Sequence, residues 1–273
     1  MHTSNYGKYE VPQQLIQLIE LEDELNEKGL LPYGDLMGLY FSLEPVQHRY
    51  LNTPVDVIPF AHSGADGIHF GFLTDFGEAP NLDEVYIVRV TPMDFDEPVK
   101  IMARNLSGFI SLIYHYRYVK ENLDVTSDQE KIERFLRFNN EDGSNEQVIL
   151  EAFFARLNPQ PMESLASYFA TVKEMRQLEV MVETWDGIGV IKSGTEEIKT
   201  QKPFHLERDM APDLEQVRSY FAESSLEYKL AFVRDAQSAG ILYNEPLLKA
   251  YVVDELHKLN LHDEALRLSS YWE

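Results

Sequence analysis

Residues 55–77 read VDVIPFAHSGADGIHFGFLTDFG, from Val55 to Gly77. Val55, Val57, Ile58 and Phe60 form one apolar run. Ile68, Phe70 and Phe72 form a second, alternating with His69, Gly71 and Leu73. Between the runs, Asp66-Gly67 supplies the positive-φ step that a tight turn needs. The stretch therefore predicts a β-hairpin. Two more strand signals follow, VYIVRV at Val85–Val90 and VKIMA at Val99–Ala103. Both are rich in β-branched residues. Short turns at 77–81 and 92–98 separate them, so the series predicts an antiparallel meander.

Helical spacing surrounds these strands. In residues 11–30, Leu15, Leu18, Ile19 and Leu25 recur on one face, with Pro12 in the first turn and Gly29 at the stop. A short strand is expected near Leu39–Leu43. Residues 105–123 carry a second apolar face through Leu106, Phe109, Ile110 and Ile113. Asn105 is placed to cap it, and Gly108 would permit close packing on the sheet. Helices are also expected over 127–157, 147–157 and 162–179. The polar run Asn139–Ser144 interrupts them and suggests a boundary between domains at 1–140 and 141–273. VMVETWDGIGVI at Val180–Ile191 is a second hairpin signal, with its turn at Asp186-Gly187. It either joins the first sheet or builds a small one of its own. Four helices are expected to close the chain, over Asp213–Glu223, Leu226–Ala239, Glu245–Leu259 and Asp263–Tyr271. Gly240 ends the second of these, and Pro246 opens the third. The expected class is α+β: an antiparallel or mixed sheet flanked by helices, followed by a mostly helical C-terminal region with one β-hairpin.

At 273 residues the chain has room for one large or two modest domains. Its 44 % hydrophobic and 26 % charged content is that of a globular protein rather than a disordered one. The absence of cysteine excludes disulfides, thiolate metal sites and a Cys nucleophile. A reducing cytoplasm is the default compartment. No apolar run approaches the ~18–20 residues of a membrane span. The N-terminal MHTSNYGKYEVPQQL lacks a signal-peptide layout. With 24 Lys and Arg against 46 Asp and Glu, the formal net charge is −22. That field repels nucleic acid and anionic membrane and attracts basic partners, although an acidic surface also serves solubility alone.

Few residues offer chemistry. The acidic cluster from Glu20 to Glu27 reads as a solvated helix face. His62, Asp66 and His69 would meet across the hairpin turn, and two His with a carboxylate can hold zinc or iron, as in a metal-dependent hydrolase. Their spacing matches no established metal motif, and a turn Asp beside local His residues is the plainer account. Ser63 lies outside any G-x-S-x-G elbow. Gly64, Gly67 and Gly71 lack the Lys and the pattern of a phosphate loop. His257 and His262 read as surface or cap residues, and Trp185 and Trp272 as core anchors. No cofactor is expected.

One resemblance organises these observations. The Pro-Phe-Ala strand leads to the turn at Gly64–Gly67. A His-Phe-x-Phe-Leu strand follows at His69–Leu73, then the valine-rich strand, and then Ala-x-Asn-Leu-x-x-Phe-Ile at Ala103–Ile110. Together they resemble the SUKH superfamily, which includes yeast glucan-synthesis regulators and many bacterial immunity proteins. The match covers roughly residues 11–123. It implies a non-enzymatic α+β domain that binds proteins, often toxin effectors such as nucleases. Such a partner would be basic, so the acidic charge would steer the encounter. Asp66, His69, Asp75 and Glu78, which flank the recognised turn and strand end, are the expected contact residues. A regulatory scaffold of the same fold is the alternative use.

Overall fold

A computed structural model of the chain describes residues 5–44, 49–94, 97–116, 145–162, 164–193, 201–207 and 210–270. The hairpin forms as expected. β2 (Val57–His62) pairs antiparallel with β3 (His69–Leu73). Gly64, Asp66 and Gly67 all take positive φ in the turn, and the Ser63 N–H donates to the Ile68 carbonyl to close it. A bulge lies between Pro59 and Ala61. It accommodates a proline that has no N–H for the ladder, and it turns both Phe60 and Ala61 into the core.

β1 (Tyr40–Phe41), β4 (Ile87–Val90) and β5 (Val99–Ala103) complete a five-stranded antiparallel meander in the order β1-β2-β3-β4-β5. Its two faces follow the period of two. One face carries Ile58, Phe60, Phe70, Phe72, Ile87 and Met102. It is covered by α1 (Gln13–Glu27), α2 (Leu106–His115) and α3 (Glu146–Leu157). Phe109 of α2 sits 5.3 Å from Phe70 and 5.6 Å from Phe60, ring centre to ring centre. The opposite face carries Val57, Leu73, Val88, Val90 and Val99. These pack against Val172 of α4 (Leu165–Glu179) and against Ile188.

Asn105 caps α2, its side-chain oxygen accepting the Gly108 N–H at 2.9 Å. The closest approach at Gly108 is to a helix rather than to the sheet. A Cβ there would meet the Tyr168 hydroxyl of α4 at 2.7 Å. The part of the expected 105–123 helix beyond Tyr116 lies outside the described residues.

The second hairpin, β6 (Val180–Val182) with β7 (Val190–Ile191), is a separate two-stranded sheet. It follows α4 directly and lies over the outer face of the large sheet through Ile188. Five helices finish the described chain: α5 (Leu214–Glu223), α6 (Leu226–Ser238), α7 (Ile241–Asn244), α8 (Pro246–Lys258) and α9 (His262–Ser269). The short α7 was not legible in the sequence. Gly240 takes φ 71° between α6 and α7, and Pro246 opens α8 as expected.

The helices form a core that includes Val55 and Phe76 from the ends of the sheet strands. Phe153 and Leu157 of α3, and Leu165 and Phe169 of α4, belong to the first core instead. Chain on both sides of the expected 140/141 division therefore shares packing. The run 139–144 itself lies outside the described residues.

Candidate binding surface

The four expected contact residues do not gather in one place. Asp66 is exposed at the β2–β3 turn, and Glu78 is exposed in the connection after β3. They stand at opposite ends of a strand about 17 Å long. His69 is fully buried. Its Nδ1 lies 2.8 Å from the Gly67 carbonyl and its Nε2 3.0 Å from the Thr53 hydroxyl, with Tyr50 stacked over the ring. Asp75 is taken up by Arg176, which donates to both its oxygens at 2.7 and 2.9 Å. The expectation that His69 and Asp75 present side chains at the surface is thus corrected. Burial between neighbouring strands claims one, and an internal guanidinium claims the other.

His62, Asp66 and His69 do not converge either. His62 stacks on Tyr40 and its Nδ1 accepts the Gly64 N–H, while both nitrogens of His69 face protein groups. Among the described residues, no three His, Asp or Glu side chains are grouped to hold a metal ion.

The concave surface lies elsewhere. β5 is the last strand of the sheet, and beside it α4 and the second hairpin enclose a cavity of about 680 Å³. Val99, Ile101 and Met102 line it from the strand, Ala166, Phe169, Ala170, Lys173 and Gln177 from the helix, and Trp185, Gly187 and Ile188 from the hairpin. Periodicity explains the helical contribution. Leu165, Phe169, Val172 and Arg176 are the buried residues of α4, so Ala166, Ala170, Lys173 and Gln177 fall on the adjoining stripe. Trp185 is the exposed aromatic on this wall. Met175 and Leu178, also exposed, fall on a different face of α4. Among charged groups at the mouth, Lys100 lies within 4 Å of Asp94 and Glu97. Lys173, which lines the cavity from α4, is exposed.

Trp185 reads in the sequence as a core anchor; it is instead 37 % exposed on the cavity wall. The signal that could have found it is its place next to the Asp186-Gly187 turn, where a side chain projects from the tip rather than into a core. Trp272 lies outside the described residues.

A buried charge network fixes the hairpin. The Arg176 guanidinium donates to the Ile188 and Gly189 carbonyls as well as to Asp75. The backbone N–H of Trp185 donates to Asp235 at 2.8 Å. Asp186 accepts the Ile188 N–H and lies 3.5 Å from Arg234. Arg234, completely buried, also donates to Asp56. Burial works against its charge, but Asp56, Asp186 and Asp75 outweigh that and hold it as a cation. Asp235 is less compensated. Burial pushes its carboxyl up to about 7, against the opposing Trp185 N–H. These links tie sheet, hairpin and α6 into one frame, so the cavity walls are pre-set rather than assembled on contact.

Compared with known proteins, the chain matches no family model and no curated sequence.

Proposed function

We propose that this protein is a non-enzymatic, protein-binding module of the immunity type, which neutralises a basic toxin domain by one-to-one binding and occlusion. The observation that carries this reading is a pre-set cavity beside an edge strand, lined by Val99, Ile101, Phe169 and Ile188, with the partly exposed Trp185 on its wall. Partly exposed aromatic anchors next to a pocket are where binding energy concentrates in protein interfaces. The formal charge of −22 supplies long-range attraction for a basic partner. The resemblance of residues 11–123 to the SUKH superfamily supplies the biological class.

The test is affinity capture from the native lysate with the tagged protein, at low and at moderate salt, using wild type, Ala170→Arg and Trp185→Ala. Ala170 is exposed on α4 and lines the cavity, so an arginine there obstructs the site and repels a basic partner without disturbing the core. The expected result is one basic protein at one-to-one ratio, lost as salt rises and lost with Ala170→Arg. Capture that is indifferent to both substitutions would overturn the use of this surface. An acidic or constitutive metabolic partner would favour the scaffold role instead.

A further inference from the structure

The cavity beside β5 changes character along its length. Ala166, Ala170, Lys173 and Gln177 share one stripe of α4, so the wall passes from methyl groups to an ammonium over about 10 Å. α4 also crosses the edge of the sheet. Leu165 and Phe169 join the core on one face, and Val172 joins the core on the other. Four consecutive residues of β5, Val99 to Met102, line the cavity, and alternate residues of a strand point to opposite faces. The hollow therefore lies against the edge of the strand, beneath a helix that leaves no course for an added strand. A compact ligand fits it better than an extended chain. Its volume of about 680 Å³ is within the roughly 300–1,000 Å³ of small-molecule sites.

We propose that this cavity is a site for a free amphipathic carboxylate, with its apolar chain among Met102, Ala166, Phe169 and Ala170 and its head at Lys173. The charges on the wall select the head group. Glu97 and Lys100 lie 3.6 Å from each other, Arg176 is bound to Asp75, and Asp186 lies 3.5 Å from Arg234. Lys173 is exposed and makes no ion pair among the described residues. It is the cation left to meet an anion at the mouth. Gln177, one turn further along the stripe, can donate an amide N–H to the second carboxylate oxygen. The overall charge of −22 repels anions at long range, so the apolar chain supplies most of the affinity and the Lys173 contact supplies the selectivity. Occupancy needs no protein partner, so this site stands or falls apart from the immunity reading.

The experiment is calorimetric titration of the full chain with octanoate and, separately, with 1-octanol, repeated with Lys173→Gln, Lys173→Arg and Ala170→Phe. Both positions are exposed on α4, and unchanged circular dichroism checks that the variants fold. Wild type is expected to bind one equivalent of octanoate with a Kd below roughly 1 mM. Lys173→Gln should weaken octanoate roughly fivefold or more and leave 1-octanol unchanged, because only the carboxylate gains a charge-assisted contact. Lys173→Arg should restore octanoate. Ala170→Phe fills the apolar end and should remove both ligands. No saturable uptake of octanoate by wild type, uptake that Ala170→Phe leaves intact, or equal octanoate affinity in Lys173→Gln would overturn the site.

Discussion

Glu22 is a carboxylate that folding disfavours. It sits on the buried side of α1, where one oxygen accepts the Phe41 N–H at 3.1 Å and the other has no hydrogen-bond partner. Burial pushes its carboxyl up from 4.5 to about 7. Because the folded state holds the proton more tightly than the unfolded chain, the sign of the linkage is unusual for an acid. Its contribution is most favourable below pH 4.5 and is lost as pH rises through 7. Glu22→Gln is expected to stabilise the protein at pH 8 by about 1–3 kcal/mol and to have little effect at pH 4. Urea denaturation at the two pH values measures this, and an equal effect at both would contradict it. Arg176 works in the opposite sense. Arg176→Met leaves Asp75 and two carbonyls without their donor and is expected to cost about 3–5 kcal/mol. Arg176→Lys should recover little, since an ammonium lacks the planar fork that reaches Asp75, Ile188 and Gly189 together. A lysine variant as stable as wild type would show that charge alone suffices there.

At the level of elements, Asn105→Ala removes the cap of α2 and is expected to lower stability by about 1 kcal/mol, read as a fall in Tm. No change in Tm would mean that water or a neighbour replaces the side chain. The cap, the strand series, both hairpins and the long helices among the described residues were legible in the sequence, although it left the sheet antiparallel or mixed. Each depends on local rules, such as the Asp66-Gly67 turn, the alternation of His69–Leu73 and the Pro246 helix start. The candidate surface was not legible. Which face of α4 meets β5, and that the tip of the second hairpin would stand over the same edge, depend on contacts far apart in the chain. His69 misled for a related reason. A histidine next to a turn looks accessible in sequence, but β3 lies between β2 and β4, and Tyr50 covers the ring.

For the whole molecule, buried polar contacts link the sheet to the C-terminal helices. Arg234 on α6 meets Asp56 before β2, Gln237 on the same helix meets the Val55 N–H and the Thr53 carbonyl, and Arg267 on α9 meets the Val55 carbonyl. Sheet and helices are thus expected to unfold in one calorimetric transition, and two resolved transitions would contradict that coupling. No described helix is long and apolar enough to cross a membrane. In the proposed complex the large negative charge would act at a distance and the cavity at contact, so the two contributions separate experimentally. Salt should slow association of a basic partner, and Ala170→Arg should abolish the complex. The most direct measurement is therefore the affinity capture with wild type and Ala170→Arg compared side by side at low salt. Recovery of one basic protein at one-to-one ratio by wild type, and none by the variant, is the outcome predicted here. Equal recovery by both would contradict binding through the β5–α4 surface.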